Sequence, residues 1–107
     1  MRKGSVWVEE RKAGTIEETD RGYRFSYEKD YLAMKDAKDV SLTLPLHDEP
    51  YESSVLFPFF DGLIPEGWLY DVTVRNWKLD RKDRFGVLLV ACKDAIGNVS
   101  IWGENER

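Results

Sequence analysis

The chain has 107 residues, a formal net charge of −4 and a pI near 5.0. Hydrophobic residues make up 42% and aromatic residues 13%, too rich for a disordered tail and enough for one globular core. One domain over residues 1–107 fits this length, without room for a deep enclosed active site, and the acidic balance disfavours direct nucleic-acid binding.

The N-terminal half reads as strands. Val6-Trp7-Val8 is a short β-rich run, Lys12-Ala13-Gly14 reads as a turn, and Thr15 to Thr19 as a second strand. Asp20-Arg21-Gly22 is a turn signal, because Asp initiates turns and Gly tolerates positive φ. Tyr23, Phe25 and Tyr27 then alternate with Arg24, Ser26 and Glu28, which is the pattern of a half-buried strand. These three runs form an antiparallel meander. Tyr31 to Lys38 suggests a short helical turn. Val40, Leu42, Leu44 and Leu46 alternate as a further strand, which Pro45 places at a sheet edge or loop. His47 to Pro50 is a polar connector.

The C-terminal half reads as helical. Ser53 or Ser54 can cap a helix carrying Val55, Leu56, Phe59, Phe60 and Leu63, with Pro58 in its first turn. Gly62 and Pro65 end it. Pro65 then suits the first position of a helix running to about Lys78, with Glu66 complementing its positive end. On that helix Trp68, Leu69, Val72 and Leu79 fall on one side, and Tyr70, Val74 and Trp77 nearly opposite. A surface helix ordinarily has one apolar stripe, so two stripes in so small a domain suggest that one of them binds something else. Asp80 can cap a last helix with Phe85, Leu88, Leu89 and Cys92 on one face. Asn98 to Trp102 returns as a strand, with Val99 and Ile101 alternating with Ser100, and the residues from Gly103 form a charged tail. The expected fold class is α+β: a small antiparallel sheet, a meander plus two further strands, packed with about three helices.

Chemistry is sparse in this sequence. His47 is the only histidine and Cys92 the only cysteine, too few for a typical zinc site, and no disulfide can form within the chain. Cys92 lies on an apolar stripe and reads as a buried hydrophobe. His47-Asp48 does not by itself make a triad. No Gly-rich phosphate loop is present. We therefore expect no catalytic residue, no cofactor and no metal. The N-terminus lacks an apolar signal region and no run is long enough to span a membrane, so the expected location is cytoplasmic. Trp68 follows Pro-Glu-Gly in the first turn of its helix, where a partly exposed tryptophan is a favoured interface anchor. Glu66, Tyr70 and Trp77 are the accompanying candidates for partner binding.

Three segments together resemble the N-terminal subdomain of the HipA family of bacterial serine/threonine kinase toxins. They are Ser41-Leu-Thr-Leu-Pro45, Phe59-Phe-Asp-Gly-Leu-Ile-Pro-Glu-Gly67, and the closing strand Gly97 to Ile101. The second segment is the specific one, and the likeness spans about Val6 to Trp102. Two local differences stand out: Cys92-Lys93-Asp94 where the family usually has Gly-x-Asp, and Gly97-Asn98 where it often has Gly-Ala. In full-length members this subdomain precedes the kinase body, and this sequence ends before any of it. The resemblance therefore implies a HipS-like antitoxin of a tripartite HipBST module. Such a protein binds and inhibits a HipT-like kinase toxin, while a helix-turn-helix HipB-like protein binds the operator. The alternatives are the N-terminal part of a full-length HipA-type toxin and, less in keeping with the acidic charge, a DNA-binding antitoxin.

Overall fold

The computed structural model describes residues 1–93, 98–104 and 106. Among these residues five strands form one antiparallel sheet in the order β4-β3-β2-β1-β5. They are β1 (Lys3–Val8), β2 (Arg11–Thr19), β3 (Gly22–Tyr27), β4 (Tyr51–Ser53) and β5 (Val99–Gly103). Four helices accompany them: α1 (Lys29–Leu32), α2 (Pro58–Asp61), α3 (Gly67–Asn76) and α4 (Arg84–Ala91). The fold is α+β, as the residue pattern implies.

The meander forms as expected, with one correction. Lys12-Ala13-Gly14 lies inside β2 and the turn sits at Glu9-Glu10, where Glu9 adopts φ +55° and its N–H donates to the Asn98 carbonyl at 2.7 Å. The register passes from Val6↔Gly14 to Trp7↔Lys12, leaving Ala13 as an extra residue. This bulge turns Ala13 and Gly14 inward together. A Cβ on Gly14 would meet the Phe25 ring at 2.9 Å, so the glycine serves close strand approach rather than a turn.

Alternation decides which sheet face is covered. Val6, Val8, Ile16, Phe25, Tyr27, Val99 and Ile101 point to the helices and are buried. Phe85, Val87 and Leu88 of α4 and Cys92 at its C-cap complete one contiguous core with Phe57, Phe60 and Ile64. Phe60 packs on Phe25 with ring centroids 5.4 Å apart. The opposite face is polar and half-exposed, laced by ion pairs such as Arg24–Glu52 at 3.2 Å. Its two tryptophans, Trp7 and Trp102, donate their indole N–H groups to Ser5 and Ser100.

The expected strand over Val40–Leu46 does not form. Val40 and Leu44 are buried, but Leu42 is 95% exposed at the tip of a tight turn, in which the Leu44 N–H donates to the Ser41 carbonyl at 3.1 Å. The Tyr27 hydroxyl accepts from the Val40 N–H at 3.0 Å and donates to the Leu44 carbonyl, so it holds both ends of the turn. Burial pushes that hydroxyl's pKa up to about 12. The place beside β3 is taken instead by β4, which the sequence pattern did not suggest. The helix expected from Ser53 or Ser54 shrinks to the single turn α2 with Pro58 at its start, and Val55 and Leu56 lie outside it.

α4 is capped by Asp83, not by Asp80. The Asp83 carboxylate accepts the Gly86 N–H at 3.0 Å, whereas Asp80 accepts from Lys82 in the preceding turn. Arg2 selects this arrangement. Its guanidinium grips Asp83 at 2.8 and 2.9 Å and Glu18 at 2.8 Å, and it lies 5.5 Å from the Phe85 ring centroid. Gly103, expected in the tail, is buried in β5. Asp94 and Gly97, two of the positions where the sequence invites comparison with its look-alikes, lie outside the described residues.

Candidate functional site

The candidate residues cluster on α3, whose placement follows from the segment before it. Phe57 and Phe60 plug the core while α2 makes one turn. The chain then reverses through Gly62–Ile64, with Ile64 buried and the Leu63 carbonyl accepting the Cys92 thiol at 3.3 Å. Pro65 is not the first helical residue. Glu66 is extended at φ −119°, ψ 172°, and Gly67 takes φ +61°, so the helix cannot begin earlier. A Cβ at Gly67 would meet nothing within 4 Å, which makes the requirement for glycine conformational rather than steric. The Pro-Glu-Gly sequence is thus a swivel that aims α3.

α3 ends in a Schellman motif. The Leu79 N–H donates to the Val74 carbonyl at 2.9 Å and the Lys78 N–H to the Arg75 carbonyl at 3.3 Å. Lys78 occupies the left-handed position at φ +53°, where glycine is usual. This ending explains the fate of the two apolar stripes. Tyr70 and Val74 face inward and are 8% exposed each. Trp77, placed with them by helical spacing, stands at the C-cap beyond the last helical residue and is 56% exposed. On the other side Trp68 is 75% exposed and Leu69 is 47% exposed, with Val72 partly covered.

The four candidates therefore divide. Trp68, Glu66 and Trp77 are exposed, Trp68 and Glu66 at the start of α3 and Trp77 at its other end. Tyr70 is buried under the helix. Its hydroxyl donates to the Arg81 carbonyl at 2.5 Å. The Arg81 and Arg84 guanidiniums lie 5.9 and 5.5 Å from its ring centroid. Arg81 pairs with Asp71, and Arg84 with Asp61 at 2.6 Å. A hollow of about 360 Å³ opens here, between Gly67 and Asp71 on one side and Arg81 and Arg84 on the other. Sequence reasoning missed Arg81 and Arg84. The one available signal was the charge run Asp80-Arg-Lys-Asp-Arg84 directly after the helix.

The remaining chemistry-bearing groups sit in structural settings. His47 accepts the Glu49 N–H at 3.2 Å within its own loop. Burial pushes the Cys92 thiol up to about 11. Among the described residues no three His, Cys, Asp or Glu side chains gather into a possible metal site, and no helix is long and apolar enough to cross a membrane. What the surface offers is an aromatic and aliphatic patch on a short helix, bordered by a carboxylate. Such a patch can anchor a protein partner.

Known proteins share this architecture. The family model of the HipA N-terminal domain matches residues 4–102. A protein of Haemophilus influenzae (strain Rd), described as uncharacterized, is 34% identical over 106 residues, covering 99% of this chain and 96% of its own. A solved structure described as the N-terminal domain of HipA toxin superposes with a TM-score of 0.72 at 31% identity, covering 100% of this chain and 96% of that one.

Proposed function

The chain belongs to the HipA N-terminal domain family, and from that premise we propose that it is an antitoxin that binds a HipA-like serine/threonine kinase and inhibits it. The match is to the N-terminal domain and not to the catalytic part of the kinases. The proposed role is binding without turnover, within a tripartite module acting in the cytoplasm. The observation that carries this reading is the Trp68–Leu69 patch, because both side chains lie in water on a helix whose other face is already committed to the core. A domain that packs against a kinase body in longer relatives has an apolar docking face. When it acts in trans, that face stays open until the partner arrives.

In this reading Trp68 enters or borders the cleft of the kinase, with Glu66 beside it and Trp77 at the margin. A helix-turn-helix protein supplies the operator contact in the same complex. Co-expression with a HipA-like kinase from the same genome tests the proposal. A stable complex with reduced kinase activity is expected; an active kinase that never co-purifies with this chain contradicts it. The second reading places the same domain in cis at the head of a longer toxin, and the match to the HipA toxin domain favours it equally. Inhibition by this chain added as a separate protein separates the two.

A further inference from the structure

We infer that Tyr70 is a positioning residue: with Arg81 and Arg84 it latches α3 onto the start of α4 and so fixes the direction in which Trp68 and Leu69 are presented. This inference rests on the reading of Trp68 as a partner anchor. α3 packs chiefly on α4 and makes little use of the sheet. Of its ten residues only Tyr70 and Val74 are buried. Apolar burial alone is a thin fastening for a helix that must hold a large exposed tryptophan steady.

Polar groups supply the rest, and they converge on residues 81–84. The Tyr70 hydroxyl is bound to the Arg81 backbone, two guanidiniums lie over its ring, and Arg81 reaches Asp71, the next residue of α3. Arg84 ties the same point to α2 through Asp61. Asp83, between the two arginines, is itself held by Arg2 of the N-terminal segment. The latch is thus anchored to the sheet end of the molecule, through a cluster that leaves Trp68 untouched. A helix held in its bound orientation loses less entropy on association than one that must be ordered at the interface.

Amide hydrogen exchange on the free full chain reads the latch without any partner. Tyr70→Phe keeps the ring and removes the hydroxyl. Asp71→Asn, on the surface, weakens only the Arg81 pair and cannot unfold the core. Both are expected to speed exchange of the amides of residues 71–76, by about three- to tenfold for Tyr70→Phe and less for Asp71→Asn, while β1–β3 and β5 stay unchanged. Association of Tyr70→Phe with a HipA-like kinase is expected to slow by a similar factor, although Trp68 is intact. Unchanged exchange in α3, or equal loosening of the sheet, overturns the latch. A looser α3 with an unchanged association rate overturns its positioning role. Failure of the wild-type chain to bind the kinase refutes the proposed function, while the exchange measurement still decides the latch.

Discussion

Replacing Trp68 by alanine separates binding from folding more cleanly than any other change in this molecule. The side chain is 75% exposed and is not part of the core cluster, so its removal is expected to alter stability by no more than about 0.5 kcal/mol. Alanine also favours helix more than tryptophan does. A tryptophan carries roughly 250 Å² of surface, so burying the exposed three-quarters at about 25 cal/mol per Å² sets an upper bound near 5 kcal/mol. Ordering and imperfect packing reduce this, and anchors of the kind usually deliver about 2–4 kcal/mol. Affinity for the kinase is therefore expected to fall roughly 30- to 1,000-fold. Titration calorimetry with a HipA-like kinase, beside a thermal melt of the free variant, measures both quantities. Unchanged affinity with an unchanged melt refutes the assignment of Trp68. A variant that unfolds refutes the claim that this side chain is external to the core.

Three further outcomes follow from the structure. The Arg2 guanidinium holds the Asp83 and Glu18 carboxyls below their usual range, chiefly through side-chain hydrogen bonds. Their contribution is present above the unfolded carboxylate pKa values and is lost as pH falls through the lower folded ones. Arg2→Ala should therefore cost about 1 kcal/mol near neutral pH and flatten the acid limb of melting temperature against pH; an unchanged limb counts against the cluster. Lys78→Gly relieves a left-handed lysine in the Schellman motif and should stabilise the protein by about 0.5–1 kcal/mol in a denaturant titration, a lowered midpoint being the contrary result. Cys92, buried with its thiol pushed up to about 11, should resist a thiol reagent at pH 8 until the protein is unfolded, and rapid labelling of the native chain would contradict that placement.

The elements legible in the sequence were those whose signals are local. The Tyr23-Phe25-Tyr27 alternation and the Val99–Trp102 strand needed only the pleat of a sheet with one covered face. The Pro-Glu-Gly swivel was visible as a helix start, though two residues early. Elsewhere long-range contacts chose between local options of similar strength. Val40–Leu46 alternates like a strand, but one hydroxyl, that of Tyr27, accepts and donates at both ends of the turn and outweighs the alternation. Asp80 and Asp83 are equally good caps by composition, and Arg2, 81 residues from Asp83, decides between them. β4 has three residues, too few to carry a period.

The candidate site shows the same division. Two stripes on α3 were apparent from helical spacing, but not which of them faces the core: Tyr70, expected with Trp68 at a partner, is buried, and Trp68 is exposed. Trp77 departs from its stripe because a left-handed Lys78 stops the helix one residue short of it. Arg81 and Arg84 act through a backbone carbonyl, proximity to the Tyr70 ring and ion pairs with Asp71 and Asp61, 10 and 23 residues away, interactions that leave no spacing signature in a sequence.

The central claim is inhibition in trans, and a kinase titration tests it most directly. A HipA-like kinase from the same genome, purified without this chain, is assayed for autophosphorylation while the chain is added back. The account predicts activity falling to a plateau at a fixed molar ratio, with Trp68→Ala shifting the curve to higher concentration. Full kinase activity at a large excess of the wild-type chain would contradict it.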